Sequence, residues 1–328
     1  MNNDGLIIRT EGLQKTFIIK KGKAKGTVEA VKDVNLEVKK GEIFGFLGPN
    51  GAGKTTTLNM LTTILAPTKG TATVVGFDLH TKAKEIRKHI GYVSQAGGTD
   101  MSMNATENLV LQSRLYGIDK MSAKKRSDDL ISRFQMTEFA SRPASSYSGG
   151  QKRRLDLALG IVHSPDIVFL DEPTTGLDPQ SRAYFWEEIR SINKEGLTIF
   201  VTTHYLDEAD NLCDSLAIVD HGIIVAKGTT EELKRSIGGE SIILRFGSEP
   251  NALEAKDLLS KEEYVSNIYI EEGKLIIFTK DGEKALVNIL RYLDQHNLSV
   301  ETVALNKPSL DDVFLQKTGR SLREGGEG

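Results

Sequence analysis

The run Gly48-Pro49-Asn50-Gly51-Ala52-Gly53-Lys54-Thr55 places three glycines, a lysine and a hydroxyl at the spacing G-x-x-x-x-G-K-[ST]. Glycines at these positions let successive backbone N–H groups curl inward around an oxyanion. A helix starting just after them adds unpaired donors and the positive end of its dipole. The run follows the apolar stretch Ile43 to Leu47 and precedes a helical pattern reaching Leu65, the strand, loop and helix order that phosphate binding needs. Lys54 would meet the β and γ phosphates of a nucleotide as a point charge, and the Thr55 hydroxyl would ligate Mg2+. The competing reading, a glycine-rich turn that merely packs tightly, leaves that flanking order unexplained.

Two acids, Asp171 and Glu172, follow the apolar run Ile167-Val168-Phe169-Leu170 and so sit at the end of a buried strand, where the ligand crevice of an open α/β sheet lies. One carboxylate suits a metal shell and the other an attacking water. Asp171 is assigned to Mg2+, mainly through its water, and Glu172 to the water as general base or positioning group. Alone, such a pair is more often a solvated polar turn; the phosphate loop makes the difference. Ser148-Gly149-Gly150-Gln151, ahead of helix-prone Lys152 to Gly160, is a second capped helix start able to receive phosphate, although most such stretches are plain turns.

The elements that must carry these groups follow from apolar spacing. Ile43 to Leu47, Ile167 to Leu170 and Leu197 to Val201 are apolar on both faces, as strands of a mainly parallel sheet covered by helices are. Between about residues 100 and 160 the pattern turns to charged, helix-period sequence, including Ser113 to Tyr116 and Ser122 to Phe134, a helical insertion into the sheet domain. Leu216 to Val219 and Ile223 to Ala226 flank Asp220-His221-Gly222 as a closing β-hairpin. After a helix around Glu231 to Ser236, Gly238-Gly239 marks a boundary. Beyond it come strand (Ser241 to Phe246), helix (Ala252 to Ser260), strands (Val265 to Ile270 and Lys274 to Thr279), helix (Glu283 to Gln295) and strand (Leu298 to Leu305), the succession of a ferredoxin-like α+β fold. The expected division is a nucleotide-binding domain over 1–238, an accessory domain over 239–317 and a disordered tail over 318–328.

With 328 residues the chain can bury two cores. Its 42 basic and 45 acidic residues give a net charge of -3, without the positive field that tight nucleic-acid binding uses. The single cysteine, Cys213, forms neither an intrachain disulfide nor a cysteine-rich zinc site, which fits the cytosol. No apolar run is long enough to cross a bilayer, and the polar start Met1-Asn2-Asn3-Asp4 lacks a signal peptide's blocks, so a membrane role is expected to be peripheral.

Taken in order, these motifs resemble the nucleotide-binding subunits of ABC transporters over Leu6 to Gly228. The likeness rests on Gly48 to Thr56, Gln95 after Gly91-Tyr92-Val93-Ser94, the signature Ser148 to Gln151, Asp171-Glu172, Gly176-Leu177-Asp178 and His204. The resemblance implies a P-loop ABC ATPase fold, with Thr56 joining the ATP-binding loop. It implies that Gln95 touches Mg2+ and the water, and that His204 holds the γ-phosphate. Asp178 and Ser148 to Gln151 would face a second copy of the chain in a head-to-tail homodimer with two ATP molecules between the subunits. Without the family His204 reads as a structural histidine, the reading kept for His80, His89, His163, His221 and His296. Phe17 stands where the family has an adenine-stacking aromatic, usually Tyr; a core phenylalanine is the alternative. Lys20 to Lys25 reads as a solvated hairpin tip, with contact to anionic headgroups as the alternative.

Tyr147 to Ala158 and Pro308-Ser309-Leu310-Asp311-Asp312-Val313-Phe314 look like the daunorubicin-resistance type of exporter ATPase, which extends the resemblance to nearly the whole chain. That branch implies a separate multi-helix permease, a peripheral place on the cytoplasmic face of the cell membrane, and a drug, antibiotic, lipid or polysaccharide as cargo. Two other functions compete. A soluble ABC ATPase acting on nucleic acid or ribosomes would lean on a coiled-coil insertion, a second cassette, zinc-ligand cysteines or a basic face, none of which the sequence carries. A small-molecule kinase would leave Ser148 to Gln151, Asp178 and His204 idle.

Overall fold

The computed structural model describes residues 5–21, 24–237, 239–271 and 273–319. The chain divides into two compact units, Met1–Val225 and Ala226–Gly328.

The first unit begins with β1 (Leu6–Lys21), β2 (Ala24–Val34), β3 (Glu37–Lys39) and β4 (Ile43–Leu47), then α1 (Lys54–Leu61), β5 (Lys69–Val74), β6 (Phe77–Asp78), α2 (Ala83–His89) and β7 (Ile90–Val93). Three helices follow without a strand, α3 (Ala105–Leu115), α4 (Lys120–Arg133) and α5 (Gly149–Ile161). The chain then re-enters the sheet through β8 (Ile167–Asp171), α6 (Pro179–Lys194), β9 (Thr198–Thr203), α7 (Leu206–Leu212), β10 (Ser215–Asp220) and β11 (Ile223–Thr229). Strands run in the order β6-β5-β1-β2-β11-β10-β4-β9-β8-β7, with β3 on β1. The half from β10 to β7 is parallel and the β1, β2, β5, β6 part is antiparallel.

Alternation along the central strands explains the layering. Val168 and Leu170 of β8, with Ile199 and Val201 of β9, join a core shared with Leu109, Leu130, Leu155 and Ile189 of the helices. Ile167, Phe169 and Phe200 point the other way, into a core with Phe44, Phe46, Leu58 and Leu61. Successive side chains of a strand face opposite sides, so a strand apolar throughout serves two cores. Phe200 lies between Phe44 at 5.4 Å, Phe46 at 5.7 Å and Phe169 at 5.4 Å, ring centre to ring centre.

The second unit holds α8 (Thr230–Ser236), β12 (Glu240–Phe246), α9 (Glu249–Leu259), β13 (Asn267–Glu271), β14 (Lys274–Thr279), α10 (Gly282–Gln295), β15 (Val300–Asn306) and α11 (Leu310–Thr318). Its sheet order β13-β14-β12-β15, antiparallel throughout, is that of the ferredoxin-like fold read from the sequence. Ile242, Leu244, Leu275 and Ile277 pack with Ala255, Leu259, Ile289 and Leu293 as a core of this unit's own.

Several boundaries differ from the sequence reading. The division falls within β11, ahead of residue 238, because α8 packs on α11. The helix after the phosphate loop stops at Leu61 instead of Leu65: Thr63 turns left-handed at φ 64°, and the Ile64 and Leu65 amides fold back onto the Asn59 carbonyl. Of the stretch 318–328 assigned to a tail, Thr318 closes α11 and Gly319 caps it at φ 77°; residues 320–328 lie outside the described residues, as does the start Met1 to Asp4. At the lysine-rich stretch Lys20 pairs with Lys25 and Lys21 with Ala24, so the β1–β2 ribbon extends through it; residues 22 and 23 lie outside the described residues.

Candidate functional site

Four adjacent parallel strands, β4, β9, β8 and β7, bring the motif loops to one sheet edge. Their register aligns Leu47 with Thr203, Asp171 with Thr202, and Val93 with Leu170, so the residues that follow each strand emerge side by side. The phosphate loop leaves β4 so close to β10 that a Cβ on Gly48 would lie 2.2 Å from the Val219 carbonyl oxygen. Gly53, at φ 100°, is held 2.5 Å from the Ala30 carbonyl in the same sense. A side chain at either place would push the loop off its neighbours.

Lys54, Thr55, Thr56, Asn50, Gly51, Gly53, Gln95, Glu172 and His204 line one cleft of ≈ 600 Å3, together with Ala30 and Thr175. Lys54 is 4% exposed, donates to the Gly48 and Pro49 carbonyls at 2.8 and 3.1 Å, and pairs with Glu172 at 3.1 Å. Burial pushes its ammonium pKa down, against the pull of Glu172 and Asp171. Glu172 also meets His204 Nδ1 at 3.1 Å and receives Gln95 Nε2 at 3.5 Å. Burial alone would raise its carboxyl pKa, but the His204 contact and the Lys54 charge outweigh burial and hold it at about 2. The site therefore carries an ionised carboxylate close to three nitrogens, those of Lys54, His204 and Gln95.

Asp171 accepts from Thr202 Oγ1 at 2.6 Å and Thr55 Oγ1 at 3.2 Å. A carboxylate, a hydroxyl and the amide oxygen of Gln95 are hard oxygen donors, few in number, the set by which proteins hold Mg2+ beside phosphates that supply the remaining ligands.

Sequence reasoning missed Thr202, Thr175 and Arg153. Thr202 is buried and binds both the Asp171 carboxylate and the Glu172 N–H, the latter at 3.1 Å. Its signal was a polar pair, Thr202-Thr203, closing an apolar strand. Arg153, buried on α5, donates to the backbone carbonyls of Ser94, Gln95, Glu172 and Pro173, and nothing in Lys152-Arg153-Arg154 singles it out.

Other expected residues lie elsewhere. Ser148 caps α5 in a capping box with Gln151, and Ser148, Gly150 and Gln151 border a separate cleft with Gln135, Glu138 and Arg154. Gly149 is the first residue of α5. Asp178 caps α6, accepting from the Ser181 amide and hydroxyl. Ala52 is buried within the loop. Phe17 does not join the core: it is 37% exposed on β1, paired with Val28, with the Lys15 ammonium 5.3 Å from its ring centre. His80, His89, His163 and His296 have partners in Gly70, Asp166, Ile90 and Tyr292, as structural histidines do.

Residues 31–175 match the ABC transporter family, and residues 228–318 match the C-terminal domain of DrrA1-3-like ATP-binding proteins. The chain is 41% identical over 325 residues to the daunorubicin/doxorubicin resistance ATP-binding protein DrrA of Streptomyces peucetius, covering 98% of this chain and 96% of the relative. It is 38% identical over 321 residues to the doxorubicin resistance ATP-binding protein DrrA of Mycobacterium tuberculosis, covering 97% and 95%. A bacterial ABC transporter cassette solved as a dimer superposes with a TM-score of 0.61 at 26% identity, over 68% of this chain and 98% of the cassette. Fold and cleft thus define an ATP-hydrolysing cassette. The chain belongs to the DrrA-type family of ABC transporter ATP-binding subunits. Among the described residues, no helix is long and apolar enough to cross a membrane.

Proposed function

We propose that this chain energises an exporter: two copies close head to tail around two Mg-ATP and drive a separate multi-helix permease from the cytoplasmic face of the membrane. The observation that carries this reading is the convergence of Lys54, Thr55, Gln95, Glu172 and His204 on one cleft, with Asp171 hydrogen-bonded behind Thr55. Loop amides from Asn50 to Thr56 cradle the β and γ phosphates. Lys54 gives up Glu172 for those phosphates and remains charge-paired throughout. Thr55, Asp171 and Gln95 would hold Mg2+, whose charge neutralises the phosphate oxygens when bound.

Glu172 and Gln95 orient the attacking water. The water oxygen bonds to the γ-phosphorus, the bond to the β–γ bridging oxygen breaks, and the water's proton goes to Glu172. Loss of Lys54 as a partner raises the proton affinity of the carboxylate, as a base requires. His204 steadies the γ-phosphate. The α5 start at Ser148 to Gln151 receives the γ-phosphate held by the other copy, Asp178 lies at that interface, and Phe17 stacks on adenine. Relatives bear the names of daunorubicin, doxorubicin and linearmycin resistance, which supports a drug or antibiotic as cargo, with lipids and polysaccharides as further candidates and no nucleic-acid partner. The unit Met1–Val225 acts as the nucleotide-binding domain and the unit Ala226–Gly328 as its accessory. Affinity purification of the tagged chain from gently solubilised membranes tests the assignment. A stoichiometric multi-helix protein is expected; only soluble or ribosomal partners would refute it.

A further inference from the structure

Arg153 lies just beyond Ser148 to Gln151 on α5, only 6% exposed, and its guanidinium faces backbone rather than solvent. Nη1 donates to the Ser94 carbonyl at 3.0 Å, and Nη2 to the Gln95 and Glu172 carbonyls at 3.1 and 3.3 Å. Nε donates to the Pro173 carbonyl at 2.5 Å. Four carbonyls from two loops thus converge on one cation. An arginine that only neutralised Asp156, 3.9 Å away, would need none of them.

What the guanidinium holds is unusual. Glu172 has φ 44°, a left-handed backbone that residues other than glycine rarely adopt. Its N–H is fixed by the Thr202 carbonyl and hydroxyl, both at 3.1 Å, and its carbonyl by Arg153. Asp156, close by on the same helix, grips the other loop: it accepts from the Gly98 and Thr99 amides at 2.9 and 3.2 Å and from the Thr99 hydroxyl at 2.8 Å. The segment Ser94 to Thr99 is therefore clasped by two charges of α5, one at each end.

We propose that Arg153 is a positioning residue that sets Gln95 and Glu172 from the signature helix. Phosphate received at Ser148 to Gln151 thereby aligns the water-orienting groups of the same chain's own cleft. The inference rests on the ATPase roles proposed above and adds a route between the two nucleotides of a closed pair. Guanidinium is suited to this because its planar fork spreads donors over several acceptors, whereas an ammonium is compact.

The test uses the full chain, comparing Arg153→Lys and Arg153→Gln with wild type and Lys54→Ala, and repeating Arg153→Lys in a Gln95→Ala background. Turnover, KM and the Kd of a fluorescent ATP analogue are read for each, with Tm. Arg153→Lys should lower kcat by about tenfold or more while KM and Kd stay within about twofold, and should cost less than about threefold once Gln95 is gone. Wild-type kcat in both Arg153 variants would overturn the inference, as would ATP affinity and Tm falling in step with kcat, or full multiplicativity with Gln95→Ala. Should wild type turn over no faster than Lys54→Ala, the ATPase roles themselves fail, a result distinct from an active wild type matched by its Arg153 variants.

Discussion

Glu172 is held by Lys54 on one side and His204 on the other, and removing either nitrogen has a different consequence from removing the carboxylate. With Lys54 proposed as the cation of the phosphates, Lys54→Ala should lose ATP binding or turnover in a nucleotide-binding and phosphate-release assay. Glu172→Gln removes the competitor for Lys54, so ATP should bind several-fold more tightly by equilibrium titration, with phosphate release reduced by at least about a hundredfold and a stalled dimer on size exclusion. Equal loss of binding in both variants would contradict the assigned roles. The same carboxylate has an acid signature. Its folded pKa of about 2 lies below the ordinary 4.5, so its ionised form stabilises the fold fully above pH 4.5, and that contribution is lost as pH falls toward 2. Glu172→Gln should flatten the acid limb of the Tm against pH curve in that window.

At the scale of elements, α5 and α6 meet through Arg154 and Glu188 at 3.1 Å. Burial raises the Glu188 carboxyl pKa to about 7 despite the arginine, and its Oε2 has no hydrogen-bond partner among the described residues. A raised acid favours its neutral form in the fold, so stability declines as pH rises from 4.5 to 7. Glu188→Gln should therefore raise Tm at pH 8 and change it little at pH 4, measured by calorimetry. The sequence made the parallel strands legible because continuous apolar runs are what two-sided burial requires, and it made the phosphate loop legible because its chemistry fixes glycine spacing. It did not reveal the long ribbon of β1 and β2, where Phe17, Ile18, Ile19 and Val28 are exposed and apolar alternation gives no inward face. Nor could it choose among Lys152, Arg153 and Arg154: which cation turns inward depends on the rotation of α5 against β7, a tertiary fact.

At the scale of the molecule, each unit has its own core, so damage in one should be readable apart from the other. Leu293, fully buried in the second unit, is the probe: Leu293→Ala should destabilise that unit by about 2–5 kcal/mol while ATP affinity at the cleft stays near wild type. Loss of both together, in paired thermal and titration measurements, would mean that the units stand or fall as one. The Lys54–Glu172 pair has a further meaning among many cellular anions. Whatever enters the cleft must outcompete a carboxylate already seated on the lysine, so the pair works as an admission threshold set by charge. On the roles proposed above, that carboxylate stays on the lysine until an anionic phosphate chain displaces it.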